Sequence, residues 1–306
     1  MSQTYFKPTT LILLTPLVLC AWGFSWPIMK LALPAVPPLW LAVLRLGVGT
    51  LTLFIILWAS GRKFLPNRQD LPLLFSVGVL QMGCFTMLIM LGLMHVEAGR
   101  SAILTYTTPL WVTPIAVLFF KEHLSKLALL GIIVGILGVL CMFNPLSFNW
   151  HDSLALKGNG LLLLAAFIWA MVIIHVRFGI HHRSPLELAP WQMLLGTLFV
   201  WMMALIFEPK PAIDWSWHLA WQIAYLGPIA SAFAYWGVIE LNRQLPAITI
   251  SLLLLAVPVI GLLSSAAILG EAIKINTLIS MILILVGIAC VAVSRFLEYR
   301  KLSSDR

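Results

Sequence analysis

The sequence predicts an all-α polytopic membrane protein of ten transmembrane helices arranged as two inverted five-helix repeats. Three observations lead there. The first concerns solvent: 61% of the residues are apolar and only 10% charged, in long runs without a polar stripe. A water-soluble chain cannot bury that much apolar surface, so hydrocarbon is its medium. Backbone groups in hydrocarbon must be paired within their own segment, which makes such runs helices. The alternating pattern of a lipid-facing barrel is absent. The second observation is duplication. Ala98, Pro109, Glu122, Gly138 and Cys141 recur 149 residues later as Ala247, Pro258, Glu271, Gly287 and Cys290. The third is parity. The repeat extends upstream at an offset of 147, pairing Trp22 with Trp169, Lys30 with Arg177, Pro38 with Pro185 and Gly49 with Gly196. Each copy then holds five helices, and an odd number makes the second copy enter the bilayer from the opposite face.

Ten apolar segments follow in order, each near the ~20 residues that a span requires. The first, 11–32, lacks an Ala-x-Ala cleavage site and runs on through Trp22-Gly23-Phe24-Ser25-Trp26-Pro27, so it stays as a helix. The second, 38–60, opens on Pro38 and carries Arg45. The third, 71–93, places Gln81 and Phe85 on one face, and the fourth, 97–119, is interrupted by Pro109. The fifth, 126–143, is Gly-rich and ends beside Cys141. The longest polar link, Asn144 to Lys157, divides the halves, giving one repeat over 1–150 and a second over 151–306. The second half supplies segments at 158–177, 187–207, 217–240, 245–269 and 275–295. No connection is long enough to form a soluble domain.

The net charge of +8 is not a nucleic-acid signal, because the basic residues lie between apolar runs instead of forming one face. They report topology. With the N-terminus in the cytoplasm, thirteen Lys and Arg fall inside and only Lys30, Arg100, Lys157, Lys210 and Lys274 outside. Both termini are therefore expected in the cytoplasm of a multi-pass plasma-membrane protein, the inner membrane in a bacterium. Cys20, Cys84, Cys141 and Cys290 all lie within apolar segments without metal-ligand spacing and read as small packing residues. No cofactor or metal is expected. The expected partners are a small-molecule substrate and the lipid bilayer, with a monomer as the working state. An enzyme would need a nucleophile and base or a metal cluster at depth, and no HExxH, GxSxG or paired acidic motif occurs. A non-transporting receptor or scaffold is the other rival, and the inverted repeat argues against it.

The order and spacing of Trp22-Gly23-Phe24-Ser25-Trp26 before Lys30, Leu44-Arg45-Leu46, Thr108-Pro109-Leu110 and Lys121-Glu122 give the chain a family likeness. With its ten spans in two repeats, it resembles the EamA family of the drug/metabolite transporter superfamily over nearly its whole length. The resemblance implies efflux, less often uptake, of small metabolites such as amino acids, with no enzymatic step. It also implies a central cavity lined by the first, third and fourth helices of each repeat. One departure bears on mechanism. The small multidrug-resistance branch carries a membrane glutamate eight residues before a lysine, and here Trp22 and Trp169 stand at those places. Proton antiport through that carboxylate is therefore not part of what the resemblance implies here.

On that basis the candidate substrate-binding residues are Trp22, Trp26, Gln81, Phe85, Tyr106, Trp169, Tyr235, Trp236 and Arg45. Trp22 and Trp26 share a helix face with Ser25 and Met29 beside them, and Ser231 and Tyr235 share another. Aromatic walls with a few polar groups suit a small amphipathic ligand, and indole faces also hold ammonium groups. Amino acids follow from the resemblance; a quaternary amine follows from the tryptophans. Arg45 sits seven residues past Pro38, roughly 10 Å into the helix at ~1.5 Å per residue. A charge there costs ~2.5–3.5 kcal/mol on insertion scales and calls for a carboxylate partner, a wet cavity or a snorkelling stem. Its inverted counterpart is neutral Gln192. Glu122 and Glu271 read as turn residues on opposite faces, and Glu97 and Glu240 as solvated residues near helix ends that could couple protons.

Overall fold

Helices carry the whole architecture of the computed structural model, which describes residues 8–61, 65–120, 125–143, 153–178, 185–245, 250 and 253–304. The first repeat contributes α1 (Pro8–Ala32), α2 (Pro38–Ala59), α3 (Arg68–Leu93), α4 (Ala98–Phe120) and α5 (Lys126–Phe143). The second contributes α6 (Ser153–Phe178), α7 (Pro185–Phe207), α8 (217–244), α9 (Ala256–Leu269) and α10 (Ile275–Ser304). Among the described residues seven helices are long and apolar enough to cross a membrane, and α5 and α9 are shorter apolar helices. The continuous run of α8 occupies the place of the remaining expected segment. Glu122, Trp150, the His181-His182 pair and Ala247 lie outside the described residues.

Four segments depart from the uniform helices expected. Helix α4 breaks at Tyr106 and Thr107, between Ala98–Thr105 and Thr108–Phe120. Pro109 causes this, because it has no N–H to give the Thr105 carbonyl and its ring crowds that carbonyl. Local hydroxyls take up the freed acceptors: Thr108 Oγ1 donates to Thr105 O at 3.0 Å and Thr107 Oγ1 to Leu104 O at 2.7 Å. In the second repeat the expected single segment 245–269 is likewise interrupted, by a turn at Leu255 three residues before Pro258. The middles of α3 and α8 are π-helical, over Ser76–Phe85 and Tyr225–Phe233. These start points are 149 residues apart, so the widened segment belongs to the repeat. Such segments are rare inside helices and tend to mark functional sites.

The hydrogen bonds between helix ends show that the repeats run antiparallel. Near the end where α1 finishes, Lys30 Nζ donates to Leu93 O, at the close of α3, and to Val96 O, in the turn after it. At the same end the Glu208 carboxylate, just past α7, accepts from the Leu39 and Trp40 N–H groups that open α2. The Glu271 carboxylate accepts from Ala98 N at 2.7 Å and Gly99 N at 3.0 Å, capping α4. The connection after the first helix of one repeat therefore meets the connection after the second helix of the other, as inversion requires. Glu271 is more than a turn residue: it satisfies two of the N–H groups a helix start leaves open. Burial holds the Glu208 carboxyl above its ordinary pKa, the Leu39 and Trp40 donors pulling the other way.

Glycine lets the repeats cross closely. A Cβ on Gly196 of α7 would stand 2.5 Å from Met82 Cβ and 2.9 Å from the Gly78 carbonyl of α3. The equivalent Gly49 of α2 faces Gly227 and Ser231 of α8. Without a hydrophobic drive between helices in lipid, this close approach supplies the packing. Between the crossings, Thr50 Oγ1 and Thr197 Oγ1 lie 3.1 Å apart. They stand 147 residues apart in sequence, at matched places in the two copies. Helices α5 and α10 pack separately, Gly131 against Gly287. The four cysteines are free and partly buried.

Candidate substrate cavity

A cavity of about 100 Å³ lies between the repeats, lined by side chains of α1, α2, α3, α4, α6, α7 and α8. Trp22 and Trp26 enter from α1 because they are four residues apart on one helix face. Trp22 is fixed by its Nε1, which donates to the Ala230 carbonyl within the π-helical segment of α8 at 3.1 Å. Gln81 and Phe85 enter from the equivalent segment of α3. Tyr106 sits at the break of α4, where the chain turns its side chain inward. Trp169 of α6 closes that wall, with its ring 5.2 Å from Phe85 and 5.8 Å from Tyr106, the latter edge to face at 87°. This is the preferred geometry of aromatic pairs.

Arg45 points into the same cavity. Its Nε donates to Ser231 Oγ at 2.8 Å and its Nη1 to the Met29 thioether at 2.8 Å. Ser231 Oγ in turn donates to Leu226 O, five residues back, at 2.7 Å, a bond that the π-helical widening of α8 permits. Arg45 thus does not snorkel to either end. It is enclosed by protein yet keeps part of its surface accessible through the cavity. Among the described residues it has no carboxylate partner. The equivalent Gln192 of α7 is buried and accepts at 2.9 Å from the Tyr235 hydroxyl, which also borders the cavity.

Eight of the nine candidates therefore surround one cavity, and Trp236 does not. One step along the helix from Tyr235 turns its ring away, to lie 6.0 Å from Phe233 and against the cluster containing Leu14 and Val18. The second helix of each repeat contributes Arg45 and Met193, while the fourth helix of the second repeat contributes no described lining residue. The lining set implied by the resemblance is corrected on both points. Met29, Met82, Thr86, Ile89 and Thr105 also border the space, and nothing in their spacing separates them from ordinary packing residues. Glu240, expected solvated, is 5% exposed. Glu97 is 3.6 Å from Lys274 at the Lys30 end, away from the cavity.

An apolar helical bundle, two antiparallel repeats and a polar-aromatic cavity lined from both define a polytopic membrane transporter. The chain belongs to the EamA-like transporter family, whose profile matches residues 9–144 and again 156–293. It is 27% identical over 267 residues to the "Uncharacterized transporter YoaV" of Bacillus subtilis (strain 168), covering 87% of this chain and 91% of that one. It is 29% identical over 289 residues to the "Probable amino-acid metabolite efflux pump" of Salmonella typhimurium (strain LT2), covering 89% and 91%. A solved structure, described only as a crystal structure of a protein, matches with a TM-score of 0.65 at 20% identity. It covers 92% of this chain and 95% of its own, a likeness of fold.

Proposed function

We propose that the chain exports amino acids or related small metabolites by alternating access around the central cavity. Residues 1–150 and 151–306 are the two repeats that rock about their contact at Thr50 and Thr197. The observation that supports this reading is the position of the cavity, walled by residues of both halves of the chain. Inward-open and outward-open states then become near-equivalent packings of one architecture. The basic residues support placing both termini in the cytoplasm and the Lys30 end outside. Opening to that side would break the bonds of Glu208 to α2 and of Glu271 to α4. Export as the direction is supported by the efflux function printed for the Salmonella relative. A quaternary amine fits the aromatic walls but would share the cavity with the Arg45 cation, where no described lining residue is acidic.

The test is solute flux in sealed proteoliposomes containing the purified protein. Counterflow of labelled amino acids above that of protein-free vesicles, with no product formed, is the expected result. Vesicles that exchange no amino acid or related metabolite faster than protein-free controls would overturn the reading.

A further inference from the structure

Resting on the reading of this chain as a transporter, we propose that Arg45 anchors an obligatory carboxylate on the substrate. Ser231 is the residue that positions it. The substrates are then free carboxylic acids, including zwitterionic amino acids, while their amides, esters and decarboxylated amines are excluded.

A guanidinium stays protonated and carries five donors in a rigid fork. Here Nε is taken by Ser231, and Nη1 faces only a thioether, a weak acceptor. Nη2 has no hydrogen-bond partner among the described residues. With Nε taken, the Nη1–Nη2 edge is the one left to meet the two oxygens of a carboxylate. The side chain keeps accessible surface on the cavity side, so that edge is open to a ligand. Ionised groups deep within a bundle face one another or a polar cavity and mark the path of the substrate. Among the described residues Arg45 has no carboxylate to face, and the Tyr106 phenol borders the same cavity.

The pseudo-symmetry sharpens the assignment. At the related position Gln192 is neutral and already holds Tyr235, so the cavity has one anion-binding end. The Phe85–Trp169–Tyr106 wall offers aromatic surface to the remainder of the molecule. No described lining residue is Asp or Glu, so an ammonium group finds only aromatic faces and neutral acceptors. The carboxylate therefore dominates recognition and the amine is secondary. A purely structural Arg45, serving only to hold Ser231 and the widened part of α8, would not distinguish an acid from its amide.

The experiment is competition against labelled phenylalanine counterflow in proteoliposomes, using 3-phenylpropionate, phenylalaninamide, phenylalanine methyl ester and phenylethylamine. Expected is competition by 3-phenylpropionate at concentrations at least tenfold below those needed of the amide, ester or amine. Arg45→Gln should lower phenylalanine flux at least tenfold while the variant elutes and melts as the parent does. Ser231→Ala should raise the KM with a smaller effect on maximal rate. If Arg45→Gln does not fold, the competition series on the parent protein decides alone. Equal competition by amide and acid, or full flux in a folded Arg45→Gln variant, overturns the carboxylate anchor and leaves transport standing. Absence of flux for every acid and amine removes the transport reading, and the anchor with it.

Discussion

Alanine at Gly196 places a methyl group where α7 crosses α3, and the geometry sets its cost. The new Cβ would lie 2.5 Å from Met82 Cβ, 2.9 Å from Gly78 O and 3.0 Å from the Met82 carbonyl carbon. The first is nearly an ångström inside ordinary contact, and two of the three atoms are backbone, so the helices themselves must separate. Overpacking of this kind costs ~1–3 kcal/mol. Gly47→Ala is the matched control, since its Cβ meets only Thr197 Cγ2 at 3.7 Å, an ordinary contact. Both glycines are helical, so the gain in helix propensity of ~1 kcal/mol largely cancels between the two variants. Gly196→Ala should therefore be less stable than Gly47→Ala by about 1–3 kcal/mol in reversible denaturant unfolding from mixed micelles. Gly49→Ala should fall between them. Its closest neighbour, Met193 Sδ at 2.8 Å, is a flexible end, while Ser231 Cβ at 3.1 Å must yield. Because Ser231 holds Arg45, this variant should lose more transport than stability. Equal stability of the Gly196 and Gly47 variants would refute the close-crossing argument.

The cavity, the coupling and the helix caps supply the other tests. Trp169→Ala removes ring contacts to Phe85 and Tyr106 and should weaken binding of an aromatic or cationic substrate by ~0.5–2 kcal/mol. Trp22→Ala should do likewise, and unchanged transport in both at normal protein levels would remove the aromatic cavity from the mechanism. No described lining residue is acidic or His, so an imposed pH gradient without a substrate gradient should drive no uphill accumulation. Proton-driven accumulation that is lost on substituting Glu97 or Glu240 would establish antiport instead. Glu208→Ala leaves the α2 N–H groups without their acceptor and should cost ~0.5–2 kcal/mol by the same unfolding measurement. The raised pKa of Glu208 means that its contribution is fullest at low pH and declines as pH rises through its titration. Glu208→Gln should therefore gain in melting temperature relative to the parent between pH 4 and pH 7, and a relative loss would contradict that sign.

Much of the cavity lining was visible in the sequence because one-dimensional pattern reports helix faces. The four-residue spacing of Trp22 and Trp26, and of Gln81 and Phe85, puts each pair on a shared face whatever the neighbours are. Adjacent Tyr235 and Trp236 cannot both face inward, and only packing could choose between them. The charge at Arg45 was legible as a problem needing a solution. Which solution applies depends on Ser231 and Met29, 186 residues downstream and 16 upstream, and on the lack of a nearby carboxylate. The breaks at Tyr106 and Leu255 follow from Pro109 and Pro258, whereas the π-helical stretches have no comparable marker. Only one of the two contains a proline, Pro228.

By itself the sequence determined the hydrocarbon solvent, the duplicated five-helix unit and the inversion that parity imposes. These follow from composition, spacing and the need to pair every backbone group within lipid. The tertiary structure alone decided where the repeats touch, which aromatic residues share one cavity, and what faces the Arg45 cation. Such contacts join residues from different helices. In a chain so uniformly apolar, a lipid-facing leucine and a packed one look alike until the helices have been brought together.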